Sequence, residues 1–253
     1  MKLLPLIGLT TTVVCSSIAN AYEAPHAPIA PTIDGQAKEA VWNKAEWVPM
    51  DKHMIGEAPG KDDFQGRFKV VWDASKLYIL TEIVDDVLFD QHSDPLYFYW
   101  DDDCLEIFVD EDKSGGTHQF DYNAFAYHVA LDNQAVDIGP NNADGSTGFV
   151  LLNDHIDSRW QRSSESPHKI IWEVAMSIYG DDFKTQYKKN EKPAVPVSLE
   201  AGKRMGFMMA YCDNDGSKHR EHFYGSTEIE PVNGDKNRGY IDASVFGDLV
   251  LVK

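Results

Sequence analysis

Short segments that alternate apolar with polar residues, separated by turn-forming residues, extend along most of this chain. The clearest pair lies at 67–72 and 77–84, where β-branched and aromatic residues flank a polar turn and predict a β-hairpin. Further strands are predicted at 104–110, 120–129, 159–163, 170–178, 204–212, 219–224 and 248–252. Helical periodicity is limited to 36–44 and 177–187. This pattern predicts an all-β protein, an antiparallel β-sandwich that is jelly-roll-like and has short helical turns.

The segment 104–110 carries a carboxylate among strand-forming residues. Its period-two alternation predicts two faces, Leu105, Ile107 and Val109 on one and Cys104, Glu106 and Phe108 on the other. A buried carboxylate is costly unless it is paired, so Glu106 either faces water or has a partner. Trp100 and three aspartates precede the strand. An aromatic ring and a carboxylate at one sheet edge suit a sugar, but an exposed acid on a half-solvated sheet explains the pattern equally well.

The first 21 residues have the pattern of a secretory signal peptide. Lys2 precedes an apolar stretch, and Ala19-Asn20-Ala21 matches a small-residue cleavage site. We therefore expect a mature chain that begins at Tyr22 and is secreted or periplasmic. No later apolar run approaches the roughly 20 residues that span a bilayer, so we expect no membrane span.

Residues 22–253 are expected to form a single domain and to act as a monomer. The segment 188–201 is rich in charges and is followed directly by a predicted strand, so it is interpreted as a surface loop. The formal net charge is −18. This charge argues against nucleic acid or an anionic membrane as a partner, because both require a basic surface, and it favours neutral ligands and cations.

Cys104 and Cys212 are the two cysteines that follow the predicted cleavage site. Two cysteines exclude a disulfide-rich scaffold. One bridge between them and two separately buried thiols are both compatible with the sequence, because a bridge requires Cα atoms within about 7 Å.

Five motifs, in order along the chain, resemble those of the family 9 carbohydrate-binding modules. They are Ile33-Asp34-Gly35 with Trp42, Val71-Trp72-Asp73 before Leu77-Tyr78-Ile79, Asp85-Asp86, the segment from Trp100 to Asp110, and Val245-Phe246-Gly247-Asp248-Leu249. The matches extend over nearly the whole mature chain. The resemblance implies a non-catalytic β-sandwich that binds an oligo- or polysaccharide between two aromatic rings, often at a chain end.

The same resemblance assigns ligand-binding roles to individual residues. It implies that Trp100 and Tyr240 are the two stacking rings, and that Glu106, Arg220 and Asn237 bind sugar hydroxyls. Tyrosine stands where the family has a second tryptophan, which implies a smaller platform and weaker binding. A second arginine expected near position 125 is absent from the sequence, and Tyr127 or His128 is the candidate to replace it.

A calcium site is a further expectation. The residues Asp110, Asp112, Ser114 and Asp121 have the spacing of oxygen ligands in a calcium loop, with glycines at 115 and 116 for the turn. The loop 213–217 begins in the same way. Aspartate, serine and glycine are also ordinary turn residues, so the spacing alone leaves both interpretations open. The resemblance favours structural calcium, which family 9 modules often carry.

Three other chemistries fit the sequence less well. A glycoside hydrolase needs two carboxylates about 5–9 Å apart, and a chain so rich in acids provides such a pair by chance. A secreted haem domain of similar fold requires axial ligands such as Met208, Met209 or His128, although core methionines are commoner. His219 and His222, three apart on a predicted strand, point to opposite faces, so they are not expected to form a catalytic zinc site.

Overall fold

A computed structural model describes residues 21–253. Residues 1–20, which include nearly all of the predicted signal peptide, lie outside the described part. The strands are β1 (Tyr22–Pro25), β2 (Val48–Pro49), β3 (Lys52–Ile55), β4 (Phe64–Trp72), β5 (Leu77–Asp85), β6 (Cys104–Asp110), β7 (Phe125–Ala130), β8 (Ala135–Gly139), β9 (Gly148–Leu151), β10 (Ile156–Arg162), β11 (Lys169–Met176), β12 (Arg204–Asp213), β13 (His222–Gly225) and β14 (Gly247–Val252). Short 3-10 turns lie at Ala40–Lys44, Tyr99–Asp101 and Ala243–Val245.

The strands form two sheets. The larger sheet has the order β1-β14-β12-β6-β7-β8-β9, and β13 adds to it through β12 and carries β3. The smaller sheet has the order β10-β11-β5-β4-β2. All pairings between named strands are antiparallel except that of β1 with β14. The predicted all-β antiparallel sandwich is confirmed.

The main core lies between the two sheets. Alternate residues of each strand enter it, for example Leu105, Ile107 and Val109 from β6 and Trp172 from β11. The other face of β6 carries Cys104, Glu106 and Phe108, as the alternation predicts, and packs against loops outside the sandwich. The larger sheet is therefore buried on both faces at its centre. Burial of its outer face creates the site described below.

Most predicted strands are present, and the hairpin at 67–72 and 77–84 corresponds to β4 and β5. The predicted helix at 177–187 is wrong, because Ile178, Tyr179 and Phe183 pack into the main core from an irregular segment. The helix predicted at 36–44 is reduced to the 3-10 turn at its end. The strand predicted at 219–224 is shorter than expected. It begins only at His222 as β13, so Arg220 lies in a loop. In the described part of the chain, no helix is long and apolar enough to cross a membrane.

Candidate functional site

The centre of the site is the outer face of β6. Strand register places Glu106 directly opposite His128 of β7 and Ala210 of β12. The same register places Cys104 directly opposite Cys212. Residues at paired positions of neighbouring antiparallel strands point to the same face of a sheet. Four polar or thiol side chains from three strands therefore meet on one otherwise apolar face.

Glu106 is the hub of this group and is only 2% exposed. Its Oε1 atom lies 2.9 Å from His128 Nε2 and 3.1 Å from Arg220 Nη1, and it accepts a hydrogen bond of 2.9 Å from the Cys212 thiol. Burial would raise the pKa of Glu106, but the charge and hydrogen bond of His128 and the charge of Arg220 outweigh it and hold the pKa below its ordinary value. The carboxylate is therefore ionised and paired.

Three aspartates before β6 hold the surrounding loops. Asp101 accepts hydrogen bonds from the backbone N–H of Arg220 and from His219 Nδ1, both at 3.1 Å. Asp102 and Asp103 accept backbone N–H bonds from Gln91, His92, Phe89 and Asn214. All three aspartates are buried. They hold the backbone that positions Trp100 and Arg220.

Trp100 lies in the 3-10 turn Tyr99–Asp101 that leads into β6. Its ring contacts Phe98 and Tyr99 edge-on, with centroids 5.3 and 5.0 Å away, and Phe149 of β9 at 5.8 Å. Such edge contacts restrict a ring while leaving part of it accessible, and Trp100 is half-buried. The indole is therefore supported in one orientation at the rim.

The loop that carries Asn237 and Tyr240 packs closely onto the sheet. At Gly239 a Cβ atom would lie 2.7 Å from the Phe108 ring and 2.8 Å from the end of Met208, so only glycine allows this approach. His118 Nε2 lies 2.8 Å from the Gly239 carbonyl oxygen and ties the loop from the other side. Tyr240 is consequently held over the outer face of β6.

These segments enclose a cavity of about 380 Å³. Its lining contains all six predicted ligand residues: Trp100, Glu106, His128, Arg220, Asn237 and Tyr240. It also contains residues that the sequence analysis missed: Tyr99, Gln119, Phe120, Ile138, Thr147 and Phe149. Of these, Phe120 is an exposed aromatic residue in a loop. That exposure is the one feature that could have indicated a ligand-binding role. His128 occupies the polar position for which the sequence left Tyr127 as an alternative, because Tyr127 points into the main core.

A larger and shallower groove of about 670 Å³ lies at the edges of both sheets, between β4 and β13. Its charged groups include Arg67 and Glu82, which already pair with each other at 2.7 Å. The smaller cavity over Glu106 is the better candidate, because it combines aromatic walls with a buried carboxylate and guanidinium.

The four residues of the predicted calcium loop are not gathered around one point. Asp110 accepts a hydrogen bond of 2.7 Å from Gly115 N–H, and Asp112 accepts one of 3.0 Å from Ser114 N–H. Asp121 is exposed and bonds the N–H of Asn123. These hydrogen bonds are those of ordinary turns, although Oδ1 of Asp110 is buried without a hydrogen-bond partner.

Acids converge instead at the second loop of the same type, which begins at Asp213. Within the described residues, ligand atoms lie within 4.8 Å of one another in three overlapping groups formed by Asp63, Asp85, Asp86, Asp213, Asp215 and His222. Both oxygens of Asp213 are buried without a hydrogen-bond partner, as are Oδ1 of Asp63 and of Asp85. Burial, together with the charge of Asp85, raises the pKa of Asp213 to about 9.

The remaining candidates are separated or differently placed. Cys104 and Cys212 are buried free thiols, although they lie on neighbouring strands. His219 contacts Asp101 and His222 contacts Asp63, so the two histidines serve different clusters. Met208 and Met209 point to opposite faces of β12, and Met209 lies in the main core.

The comparisons with known proteins agree on one family. The family described as "Carbohydrate family 9 binding domain-like" matches residues 33–253. The chain is 26% identical over 145 residues to endo-1,4-beta-xylanase A of Thermotoga neapolitana, and 25% identical over 191 residues to exoglucanase XynX of Acetivibrio thermocellus. These alignments cover 56% and 76% of this chain but only 13% and 15% of the two enzymes.

Solved structures agree with the fold. A family 9 carbohydrate-binding module from Caldicellulosiruptor kristjanssonii in complex with cellotriose superposes with a TM-score of 0.62 at 20% identity, covering 91% of this chain and 93% of the module. The same organism's module in complex with glucose gives a TM-score of 0.62 at 19% identity, over 90% and 95%.

Proposed function

The chain belongs to the carbohydrate family 9 binding domain-like family, and we propose that the cavity over Glu106 binds a saccharide without catalysing a reaction on it. One observation carries the proposal: six residues from separate segments, each singled out for sugar binding, line a single cavity. Its volume of about 380 Å³ lies within the range of about 300–1,000 Å³ that small ligands occupy.

The chemistry of the cavity suits a sugar. Sugars present apolar C–H faces and a polar rim, which are complementary to the rings of Trp100 and Tyr240 and to the charged groups below them. In the described structure the contacts of the Glu106 carboxylate are all made by Oε1, which leaves Oε2 for a hydroxyl group. Hydrogen bonds to charged groups contribute roughly 1.5–3 kcal/mol each.

We infer that the ligand is the end of a β-1,4-linked glucan or xylan. Relatives include proteins named as xylanases and an exoglucanase, and related modules were solved with glucose and cellotriose. A cavity of this volume accommodates a chain end better than a long internal segment. The predicted signal peptide supports a secreted or periplasmic location, where the protein would encounter such polysaccharides.

The absence of catalysis is also part of the proposal. Glycoside hydrolysis needs two carboxylates across the scissile bond. Among the residues that line the cavity, Glu106 is the single carboxylate, and it is already paired with Arg220 and His128. A haem domain is disfavoured because Met209 lies in the main core and His128 is already paired with Glu106.

Binding to an array of cello- and xylo-oligosaccharides tests the function. We expect binding that survives chain shortening to cellotriose and is lost when the chain-end ring is chemically modified. Equal binding to modified and unmodified ends would contradict chain-end recognition, and no binding to any saccharide would contradict the function.

Structural calcium is proposed at the cluster around Asp213, and the residues fit it. Calcium takes carboxylate oxygens as ligands, and a buried carboxylate with two unpartnered oxygens requires a cation or a proton. Asp85, Asp213 and Asp215, whose ligand atoms form one of the three groups, would hold the ion, which would neutralise part of their charge and join the loop after β12 to the end of β5.

A further inference from the structure

The two thiols beneath the sugar cavity belong to a second group of converging ligand atoms. Cys104, Cys212, Glu106 and His128 each direct one donor atom to a common point, and these atoms all lie within 4.8 Å of one another. The four residues are between 0% and 7% exposed. They come from three adjacent strands of one sheet, so the backbone fixes their spacing before any ligand binds.

The donor set is chemically specific. Cysteine sulfur, imidazole nitrogen and carboxylate oxygen are each zinc ligands, and four such donors match the tetrahedral coordination that zinc prefers. Calcium and magnesium prefer sets made of oxygen atoms, which the cluster at Asp213 supplies elsewhere in the fold.

The orientation of His128 supports a metal-binding role. Its Nδ1 atom lies 3.2 Å from the carbonyl oxygen of Ala126 and is assigned the proton by that contact. Its Nε2 atom lies 2.9 Å from Glu106 Oε1 and donates its proton to that carboxylate, so a metal ion that displaces this proton finds the Nε2 lone pair directed into the group. Metal-ligating histidines typically hold their other ring nitrogen in this way.

Arg220 balances the charge of such a site. Its Nη1 atom lies 2.9 Å from Cys212 Sγ and 3.1 Å from Glu106 Oε1. A divalent ion, two thiolates, one carboxylate and one guanidinium sum to zero charge, whereas a monovalent ion leaves one excess negative charge. A neutral assembly is the one that a buried location tolerates best.

We propose that Cys104, Cys212, His128 and Glu106 bind one zinc ion at the floor of the cavity. Binding releases to solvent the two thiol protons and the proton that His128 Nε2 donates to Glu106, and it replaces the hydrogen bonds that Cys212 and His128 make to Glu106. If the proposed sugar function holds, zinc and saccharide compete, because zinc takes the Nε2 atom of His128 and neutralises the Glu106 carboxylate, which sugar hydroxyls would otherwise use. Competition of this kind is reciprocal, so each ligand lowers the affinity of the protein for the other ligand by the same factor.

Cobalt(II) titration of the reduced mature chain tests the site, because cobalt bound by thiolates gives an intense charge-transfer absorption and tetrahedral d–d bands. We expect one cobalt per chain, displaced by zinc and not by calcium. Cys104→Ala and Cys212→Ala are expected to lose the charge-transfer band, and Met208→Leu, on the same face of the sheet, is expected to keep it. Asp213→Asn is also expected to keep it, because its cluster is separate.

The state of the thiols and the sugar affinity complete the test. Alkylation of the unfolded protein, purified without reductant, is expected to label both cysteines, and a disulfide between them would overturn the proposal. Failure of cobalt to give a thiolate band, or a band that persists in both alanine variants, would overturn it as well. Saccharide binding without a cobalt–thiolate band would contradict the zinc site but not the proposed function. A cobalt–thiolate band without saccharide binding would contradict the proposed function but not the zinc site. With both present, zinc is expected to weaken cellotriose binding by about fivefold or more.

Discussion

Glu106 and His128 lie at paired positions of β6 and β7, and Glu106 Oε1 meets His128 Nε2 at 2.9 Å on the outer face of the larger sheet. Strand pairing alone therefore brings an acid and an imidazole together, with no loop required. Arg220 reaches the same oxygen from a loop whose backbone is held by Asp101. The floor of the cavity is consequently rigid, while its aromatic rim is built from loops.

Removing the charge of Glu106 is expected to lower stability as well as affinity. Glu106→Gln leaves Arg220 buried with no full countercharge, and breaking a buried ion pair costs about 3–5 kcal/mol. Urea unfolding measures this loss. Glu82→Gln, which disrupts the more exposed pairs with Arg67 and Lys169, serves as the control and is expected to cost about 1 kcal/mol or less. An unchanged midpoint for Glu106→Gln would show that Arg220 does not depend on this carboxylate.

A larger second ring is expected to improve binding. Tyr240 lines the cavity and is half-buried, so Tyr240→Trp extends the stacking surface at the rim without opening the core. We expect a severalfold increase in affinity for cellotriose, measured by calorimetry, with little change in melting temperature. Weaker binding at unchanged stability would indicate that Tyr240 does not stack on the sugar.

The strand pattern and the family motifs predicted much of the site, for identifiable reasons. Period-two alternation gave the correct faces of β6, and Trp100 and Glu106 lie in one motif of fixed local spacing. Arg220, Asn237 and Tyr240 were assigned by resemblance alone, and His128 was one of two candidates. Phe120 and Phe149 were missed, because nothing local marks an aromatic residue that only the tertiary fold brings to the cavity. Of the acid cluster, the sequence indicated only the loop 213–217, because Asp63 and Asp85 come from distant segments.

Calcium is expected to raise the melting temperature and EDTA to lower it, because a ligand that binds only the folded state stabilises that state. Asp213→Asn is expected to abolish the response, and Asp112→Asn, in the loop that the sequence favoured, is expected to retain it. Loss of the response in Asp112→Asn with retention in Asp213→Asn would move the site to the loop after β6. Identical melting temperatures with calcium and with EDTA would contradict a calcium site in this protein.

Acid is expected to destabilise the fold through His155. Burial lowers the pKa of His155 from 6.5 to about 4, and Tyr127 lies 2.7 Å from its Nδ1 atom. The unfolded chain therefore binds this proton at a higher pH than the folded chain does. The contribution of neutral His155 to the free energy of unfolding is fully present above pH 6.5. It falls by roughly 2–3 kcal/mol as the pH falls toward 4.

Urea unfolding between pH 7 and pH 4 measures this dependence. His155→Gln is expected to flatten it, and substitution of the exposed His53 by glutamine is expected to leave it unchanged. An equally steep loss of stability in His155→Gln would assign the acid sensitivity to other groups.

The central claim, that a saccharide binds in the cavity over Glu106, is tested most directly by calorimetric titration of two tryptophan variants with cellotriose. Trp100→Ala removes a ring from the cavity, and Trp47→Ala removes one from the opposite side of the sandwich, where it packs under Arg67 and Lys69. Aromatic residues dominate affinity where they anchor a ligand, so we expect Trp100→Ala to abolish measurable binding while it remains folded, and Trp47→Ala to bind as the parent chain does. Unchanged affinity in a folded Trp100→Ala variant would contradict the assigned site.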